Sequence, residues 1–399
     1  MTQIGQQNRK HEKMNFLWRN NFFKRNLYQK AYMFIFSLFF YGLPIAVWSD
    51  TNSDQADLSK RFNEGEIPGA IRIVVGPEGI RSTALVGFAD IEEKKLLSTD
   101  SVFWMASTGK TVTAMAFMIL VDEKKASLDD TVAKYLPYMK TLYRECQPAD
   151  GSKKIVPLKN VVTIRHLLSH TSGLNWLPGF FQNKELSYIS LETQTHVYAA
   201  SAFKFEPGTD YSYSNAGFNT AGRIIEVISG MPYEQFVKER IFDPCGMKNT
   251  GYQLNEAQIA RLAMGYSYDA DKKKWIKHTT IDQMSILPYD SPNRHPECGG
   301  GLFSTAADMA KLAQMIANHG KFNSNNIISL ESLHEICTRQ TPSTIKKSYG
   351  LGSNVGTVGH SGAWGTSMSV DLDKQQGSVW MVQKIGKWPE DLVSEASGK

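Results

Sequence analysis

A chain of 399 residues holds two or three domains of ordinary length, or one large domain with an insertion. Its 42% hydrophobic and 21% charged content excludes extended disorder, and neither an internal repeat nor a low-complexity stretch is present. The net charge of +5 originates at the N-terminus, where Arg9, Lys10, Lys13, Arg19, Lys24, Arg25 and Lys30 oppose one acid, Glu12; the rest of the chain carries about −1, which excludes a phosphate-tracking surface and with it a nucleic-acid partner.

Those basic residues precede an apolar run, Ala31 to Trp48, interrupted by Gly42 and Pro44 and followed by polar Ser49-Asp50. Residues 1–49 therefore read as a basic segment with a cleaved export signal. A retained membrane anchor is the equal alternative, since about 20 apolar residues span a bilayer; a buried core helix is the weakest reading. Both export readings put residues 50–399 outside the cytoplasm, periplasmic or membrane-anchored, with membrane contact through residues 31–48. The long lead-in makes Met14 a second candidate start. Cys146, Cys245, Cys298 and Cys337 are too few and scattered for a disulfide framework or a zinc cluster. Cys245, after Asp243-Pro244, reads as a small buried residue.

Beyond a polar stretch at Ser53 to Glu66, Gly69 to Val75 (GAIRIVV) predicts a strand, Gly76 to Gly79 a turn, and Ile80 to Phe88 the returning strand. Val112, Met115, Ala116, Met118 and Ile119 predict a helix from Ser107 through Val121. Further helical patterns cover Ile164 to Leu168, Ala216 to Ile228, Tyr233 to Ile241 and Ala306 to Ala317. Thr366 to Asp371 and Ser378 to Gln383 read as two strands around a tight turn. Strand material at both ends with helices between predicts an α+β fold: an antiparallel sheet built from both chain ends with flanking helices, and a mainly helical region inserted at about 107–290. A site then belongs in the cleft between the two parts.

Three short motifs carry chemistry. In Ser107-Thr108-Gly109-Lys110, serine and lysine three apart at a helix start share a face, so a lysine made neutral by burial and the helix dipole can take the hydroxyl proton. The bland reading is a helix start capped by serine. The rival reading, the end of a phosphate-binding loop (STGKT), fails because the glycine such a loop needs is Trp104 here. In Tyr213-Ser214-Asn215, a phenol can relay a proton beside that pair and an amide can hold a substrate carbonyl; the alternative is a loop tyrosine and a helix cap. In His360-Ser361-Gly362, a small-residue strand edge lets substrate backbone lie alongside and lets the N–H of Ala363 face an oxyanion; the alternative is a turn entering a strand.

This ordered trio resembles the serine β-lactamase and penicillin-binding-protein superfamily. The tyrosine in the second motif is similar to that of the class C-like members, D-alanyl-D-alanine carboxypeptidases and related esterases. The resemblance spans residues 54 to 385 and includes Ile67-Pro68-Gly69, Gly87-Phe88-Ala89-Asp90, Leu128-Asp129-Asp130, Leu167 to Leu174 (LLSHTSGL), Gly246-Met247 and Gly299 to Thr305 (GGGLFST). It implies Ser107 as nucleophile, Lys110 as its base, Tyr213 in proton transfer to the leaving group and to the deacylating water, and Asn215 in substrate orientation. It also implies His360, Ser361, Gly362 and Ala363 along the substrate, with the N–H groups of Ser107 and Ala363 as the oxyanion hole. His360 stands where many members carry lysine, which moves the expected substrate away from a β-lactam carboxylate. The tail after Gln383 is shorter than the helix that members carry.

The expectation is an exported serine hydrolase working through an acyl-enzyme on Ser107, without cofactor or metal, on small esters, amides or D-alanyl peptides. The alternatives are a membrane-tethered penicillin- or peptidoglycan-binding protein without efficient turnover, and a class C-like β-lactamase. His166 and His170, four apart on a helix face, read as structural histidines near the cleft edge, because no third zinc ligand is evident. Glu206 reads as a solvated loop carboxylate. Trp176, Phe180 and Phe181 are candidates for a substrate wall, or for core or surface packing.

Overall fold

The computed structural model describes residues 51–148, 151–175, 189–278 and 294–385. The basic segment and apolar run, Trp176, Phe180, Phe181 and the tail after Ile385 lie outside the described residues. The elements that position the site are helix α1 (Thr51–Asn63), strands β1 (Gly69–Gly76), β2 (Gly79–Asp90), β3 (Lys95–Leu96) and β4 (Val102–Trp104), and helices α2 (Gly109–Asp122), α3 (Ile164–Leu168), α4 (Leu191–Ala199), α5 (Asn215–Ser229) and α6 (Tyr233–Val237). They continue with β5 (Phe303–Thr305), α7 (Ala306–Ala317), α8 (Leu330–Cys337), β6 (Val358–Ser361), β7 (Ser367–Asp371) and β8 (Gln376–Met381).

The main sheet runs β6-β7-β8-β1-β2-β3, with its partners antiparallel, so the C-terminal strands add directly to the N-terminal hairpin. Ile71 sits opposite Met381 on one side and Leu85 on the other, which makes β1 central. Burial along β1 is almost unbroken, so the alternation and β-branching that mark GAIRIVV as a strand do not separate a buried face from an exposed one. Helix α7 crosses β8, β1 and β7 on one face. On the other, α1 lays Leu58 and Phe62 on Ala70, Ala84, Trp380 and Val382.

The polar stretch read at Ser53 to Glu66 is largely this helix. Its apolar stripe is only a few residues wide, and Gln55 anchors it by exchanging two hydrogen bonds with the backbone of Leu85 (3.2 and 3.0 Å). Helix α2 is buried on every side from Gly109 to Leu120, the state expected of a helix apolar all round. It is the axle of the fold, packed against α5, α6, α8 and β6. The predicted helix at Tyr233 to Ile241 ends early as an α-helix: Lys238–Phe242 winds as a wider π turn, closed by Asp243 N–H on Lys238 O (2.8 Å).

Candidate active site

The approach to Ser107 is fixed before the serine is reached. Strand β4 pairs with β5, Trp104 opposite Phe303, and Met105 N–H donates to Leu302 O (2.8 Å). Trp104 is fully buried, donates from Nε1 to Gly300 O (2.6 Å), and packs edge-on against Trp364. Ala106 then takes a left-handed conformation (φ 47°), unfavourable for a residue with a Cβ and sustained here by the packing around it. That turn delivers Ser107 into a single 3₁₀ turn, Ala106–Thr108, which runs into α2. The helix cap position falls to Thr108, whose side chain makes no capping bond, so Ser107 is not a capping serine.

Lys110, one turn on, is fully buried and its Nζ donates to Ser107 Oγ (3.1 Å), Asn215 Oδ1 (2.6 Å) and Gly299 O (2.5 Å). Three acceptors match the three N–H groups of an ammonium. Burial nevertheless pulls the Lys110 pKa down to about 7, against the opposing attraction of Glu297. As a neutral amine it can keep two N–H groups on Asn215 and Gly299 and turn its lone pair toward Ser107 Oγ.

Tyr213 lies beneath this pair, its ring centroid 4.6 Å from Lys110 Nζ, and Ser107 acts on its hydroxyl. Burial drives its pKa well above the ordinary tyrosine value, so it is a neutral phenol suited to relaying a proton. Asn215 opens α5 and reaches Lys110 directly.

His170 is central to this arrangement rather than at the cleft edge. The expected helix face shared with His166 does not exist, because α3 ends at Leu168 and His170 turns out of it at φ 62°. His170 is buried against the Tyr213 ring (4.2 Å between centroids), and its Nδ1 accepts from Ser214 N–H (3.0 Å). The proton therefore sits on Nε2, and burial with Lys110 nearby keeps the ring neutral. His166 accepts instead from Thr163 N–H at the start of α3. Among the described residues, no group of three or more His, Cys, Asp or Glu side chains could hold a metal ion.

The third motif edges the same site. Thr108 Oγ1 donates to His360 O (3.3 Å), and Thr366 Oγ1 donates to Met105 O (2.9 Å). Gly362 is pressed so closely on the serine loop that an added Cβ would lie 2.4 Å from Met105 O. Ala363 follows it at the surface. His360 is buried, its Nδ1 bonded to Ser361 O (2.7 Å), and its pKa falls to about 3 through burial and the nearby Lys110. It carries no charge at neutral pH. Ser107, Lys110, Tyr213, Asn215 and the His360–Ala363 edge thus meet at one place.

Gly299 and Glu297 belong to this site, and motif reading passed over their roles. The glycine run at 299–301 was a visible signal: a Cβ at Gly299 would lie 2.8 Å from Asn215 Oδ1, and one at Gly300 2.6 Å from Glu297 Oε2. Glu206 also departs from expectation. It accepts from Arg144 Nε (2.7 Å) and from the N–H groups of Lys159 and Asn160, so it ties loops together instead of being solvated. Cys245 is buried and its thiol is pushed up to about 12, as an inert core residue should be.

A family model described as Beta-lactamase matches residues 55–393. Esterase EstB of Burkholderia gladioli is 28% identical over 305 residues, covering 69% of this chain and 74% of its own. Among solved structures, EstCE1, a hydrolase with promiscuous acyltransferase activity, superimposes with a TM-score of 0.71 at 22% identity, covering 87% of this chain and 98% of its own. An octameric penicillin-binding protein homologue from Pyrococcus abyssi gives a TM-score of 0.64 at 22% identity, covering 87% of this chain and 76% of its own.

Proposed function

The chain belongs to the β-lactamase family, whose members are serine hydrolases, and we propose that it acts through an acyl-enzyme on Ser107 to hydrolyse small esters, amides or D-alanyl peptides. The observation that carries this reading is the three-acceptor environment of Lys110, which leaves a lone pair facing Ser107 Oγ once the ammonium loses a proton.

Acylation then runs as follows. Ser107 Oγ attacks the carbonyl carbon while its proton passes to Lys110 Nζ. The carbonyl oxygen, now an anion, is held by the N–H groups of Ser107 and Ala363. The proton moves through Tyr213 to the leaving oxygen or nitrogen as its bond to carbon breaks. In deacylation a water gives a proton to the Tyr213–Lys110 route as its oxygen bonds to the acyl carbon, and Ser107 Oγ takes that proton as its bond to carbon breaks, releasing the acid.

Neutral His360 supports a substrate without a carboxylate at that position, which ranks neutral esters and amides above D-alanyl peptides and β-lactams, since both of those carry one. The name of the esterase relative agrees with that order. Export remains part of the proposal and rests on the basic lead and apolar run of residues 1–49.

The test is to incubate the protein and its Ser107→Ala variant with a nitrophenyl ester, a D-alanyl-D-alanine peptide, a fluorescent penicillin and a chromogenic cephalosporin, following turnover and intact mass. Ester or peptide turnover with a transient adduct lost in Ser107→Ala is the expected result. Equal turnover by the two proteins overturns the nucleophile assignment, and a stable adduct without release makes the protein a binder.

A further inference from the structure

Glu297 lies in the turn that supplies one of the three acceptors of Lys110. Its carbonyl oxygen accepts from Gly300 N–H (3.1 Å) and Gly301 N–H (2.7 Å), and this tight turn aims Gly299 O at Lys110 Nζ. The next residue clamps the turn to the helices: Cys298 N–H donates to Asn219 Oδ1 (2.8 Å), and Cys298 O accepts from Thr113 Oγ1 (2.8 Å). The Glu297 side chain folds back over Gly300, whose missing Cβ makes room for Oε2. There it is hydrogen-bonded to the Asn215 side chain, whose Oδ1 accepts from Lys110. Its other oxygen, Oε1, is sealed from solvent and has no hydrogen-bond partner among the described residues.

We propose that Glu297 is a positioning residue for the base: it holds the Asn215 amide so that Oδ1 faces Lys110, and its negative charge sets when the ammonium gives up a proton. The proposal rests on reading Lys110 as the base for Ser107. An amide bridging a carboxylate and an ammonium is oriented at both ends, oxygen to the cation and nitrogen to the anion. Burial with one bare oxygen pushes the Glu297 pKa up, and the nearby cations Lys110 and Arg294 oppose that push, which couples the carboxyl to Lys110.

The groups facing the pair are few. Lys110 meets Ser107, Asn215, Gly299 O, the rings of Tyr213 and Phe218, and the fields of His170 and His360. Both imidazoles are neutral, and Lys347 acts on them. Glu297 meets Asn215 and Arg294, and acts on Tyr198, Tyr213, Tyr252 and Cys298, all held protonated by burial. Burial raises the Glu297 pKa against the pull of Lys110, Arg294 and Asn215, so the carboxyl and the amine share their protons as a pair, and Glu297 in its ionised form sets the field at Lys110.

The test compares wild type, Glu297→Gln and Glu297→Asp. Protein carrying 13C at the lysine ε-carbon is titrated by NMR, with Lys110→Ala identifying the resonance, alongside kcat/KM for a nitrophenyl ester against pH. In Glu297→Gln, the Lys110 resonance and the acid limb both move to lower pH, by about one unit. Glu297→Asp keeps the charge at shorter reach, so the Lys110 titration stays near wild type while kcat falls several-fold. An unmoved Lys110 titration in Glu297→Gln overturns the charge role, and normal kcat in Glu297→Asp overturns the positioning role. The underlying reading fails separately, if Lys110→Ala acylates as fast as wild type.

Discussion

The acid–base behaviour expected of this enzyme follows from a few side chains whose burial sets their charge. Lys110 is an amine whose pKa is depressed to about 7, so below that pH it is an ammonium with no lone pair for the Ser107 proton. The rate constant kcat/KM should therefore rise roughly tenfold per unit from pH 5 and level above about 7. Tyr213 is shifted upward and adds no limb in the neutral range. Lys110→Ala should remove the limb and lower kcat by about 10²–10⁴-fold. His360, at about 3, is neutral throughout this window. Replacing it by Gln should leave the acid limb where it is, and a limb displaced in His360→Gln would mean that the imidazole titrates during turnover. A pH-rate profile of the three proteins decides both points.

At the scale of elements, the site depends on how closely the β6 turn approaches the loop before Ser107. Gly362 N–H donates to Thr366 O (2.6 Å), and a Cβ on Gly362 would fall 2.2 Å from Thr366 Oγ1 and 2.4 Å from Met105 O. Both distances are well inside van der Waals contact, so Gly362→Ala must push β6 away from the serine loop. The variant should keep its fold, seen by near-UV circular dichroism, and lose at least about 10²-fold in acylation rate, the order of one lost oxyanion donor.

The contrast with sequence reading is sharpest among these elements. Helix α2, β1, α5 and α7 were legible because long apolar patterns record burial, and the half-buried β2 because the turn at Gly76 to Gly79 returns the chain beside β1. Helix α1 was not, since its hold on the sheet rests on Leu58, Phe62 and the backbone bonds of Gln55. Ser107, Lys110, Tyr213 and Asn215 were legible as motifs. Glu297 and the role of His170 were not, because each acts through a contact made by the fold: Glu297 through Asn215, and His170 by leaving its helix to pack on Tyr213.

Over the whole molecule, the fold closes only when the two ends of the chain meet in one sheet. Arg72 on β1 pairs with Asp54 on α1 at 2.9 Å, and Asp54 is 2% exposed. Removing one partner of such a buried pair strands the other, so Asp54→Ala should cost about 3–5 kcal/mol in urea denaturation. Its kcat below the transition should be unchanged, because neither residue approaches Ser107. A truncation exposes the same dependence more severely. Strand β8 lies between β7 and β1, with Val379 opposite both Met368 and Ile73. Ending the chain at Asp371 would leave β1 with one free edge and cut β6–β7 loose from the N-terminal hairpin. That detached hairpin carries His360 to Ala363, while Ser107 stays with β4 and α2. Such a chain should fail to acylate even where Ser107 and Lys110 remain paired, and it should aggregate through the unpaired β1 edge. Light scattering and intact-mass acylation on the truncated chain would test this; a soluble truncated chain that still acylates would show that the C-terminal strands are not needed to build the site.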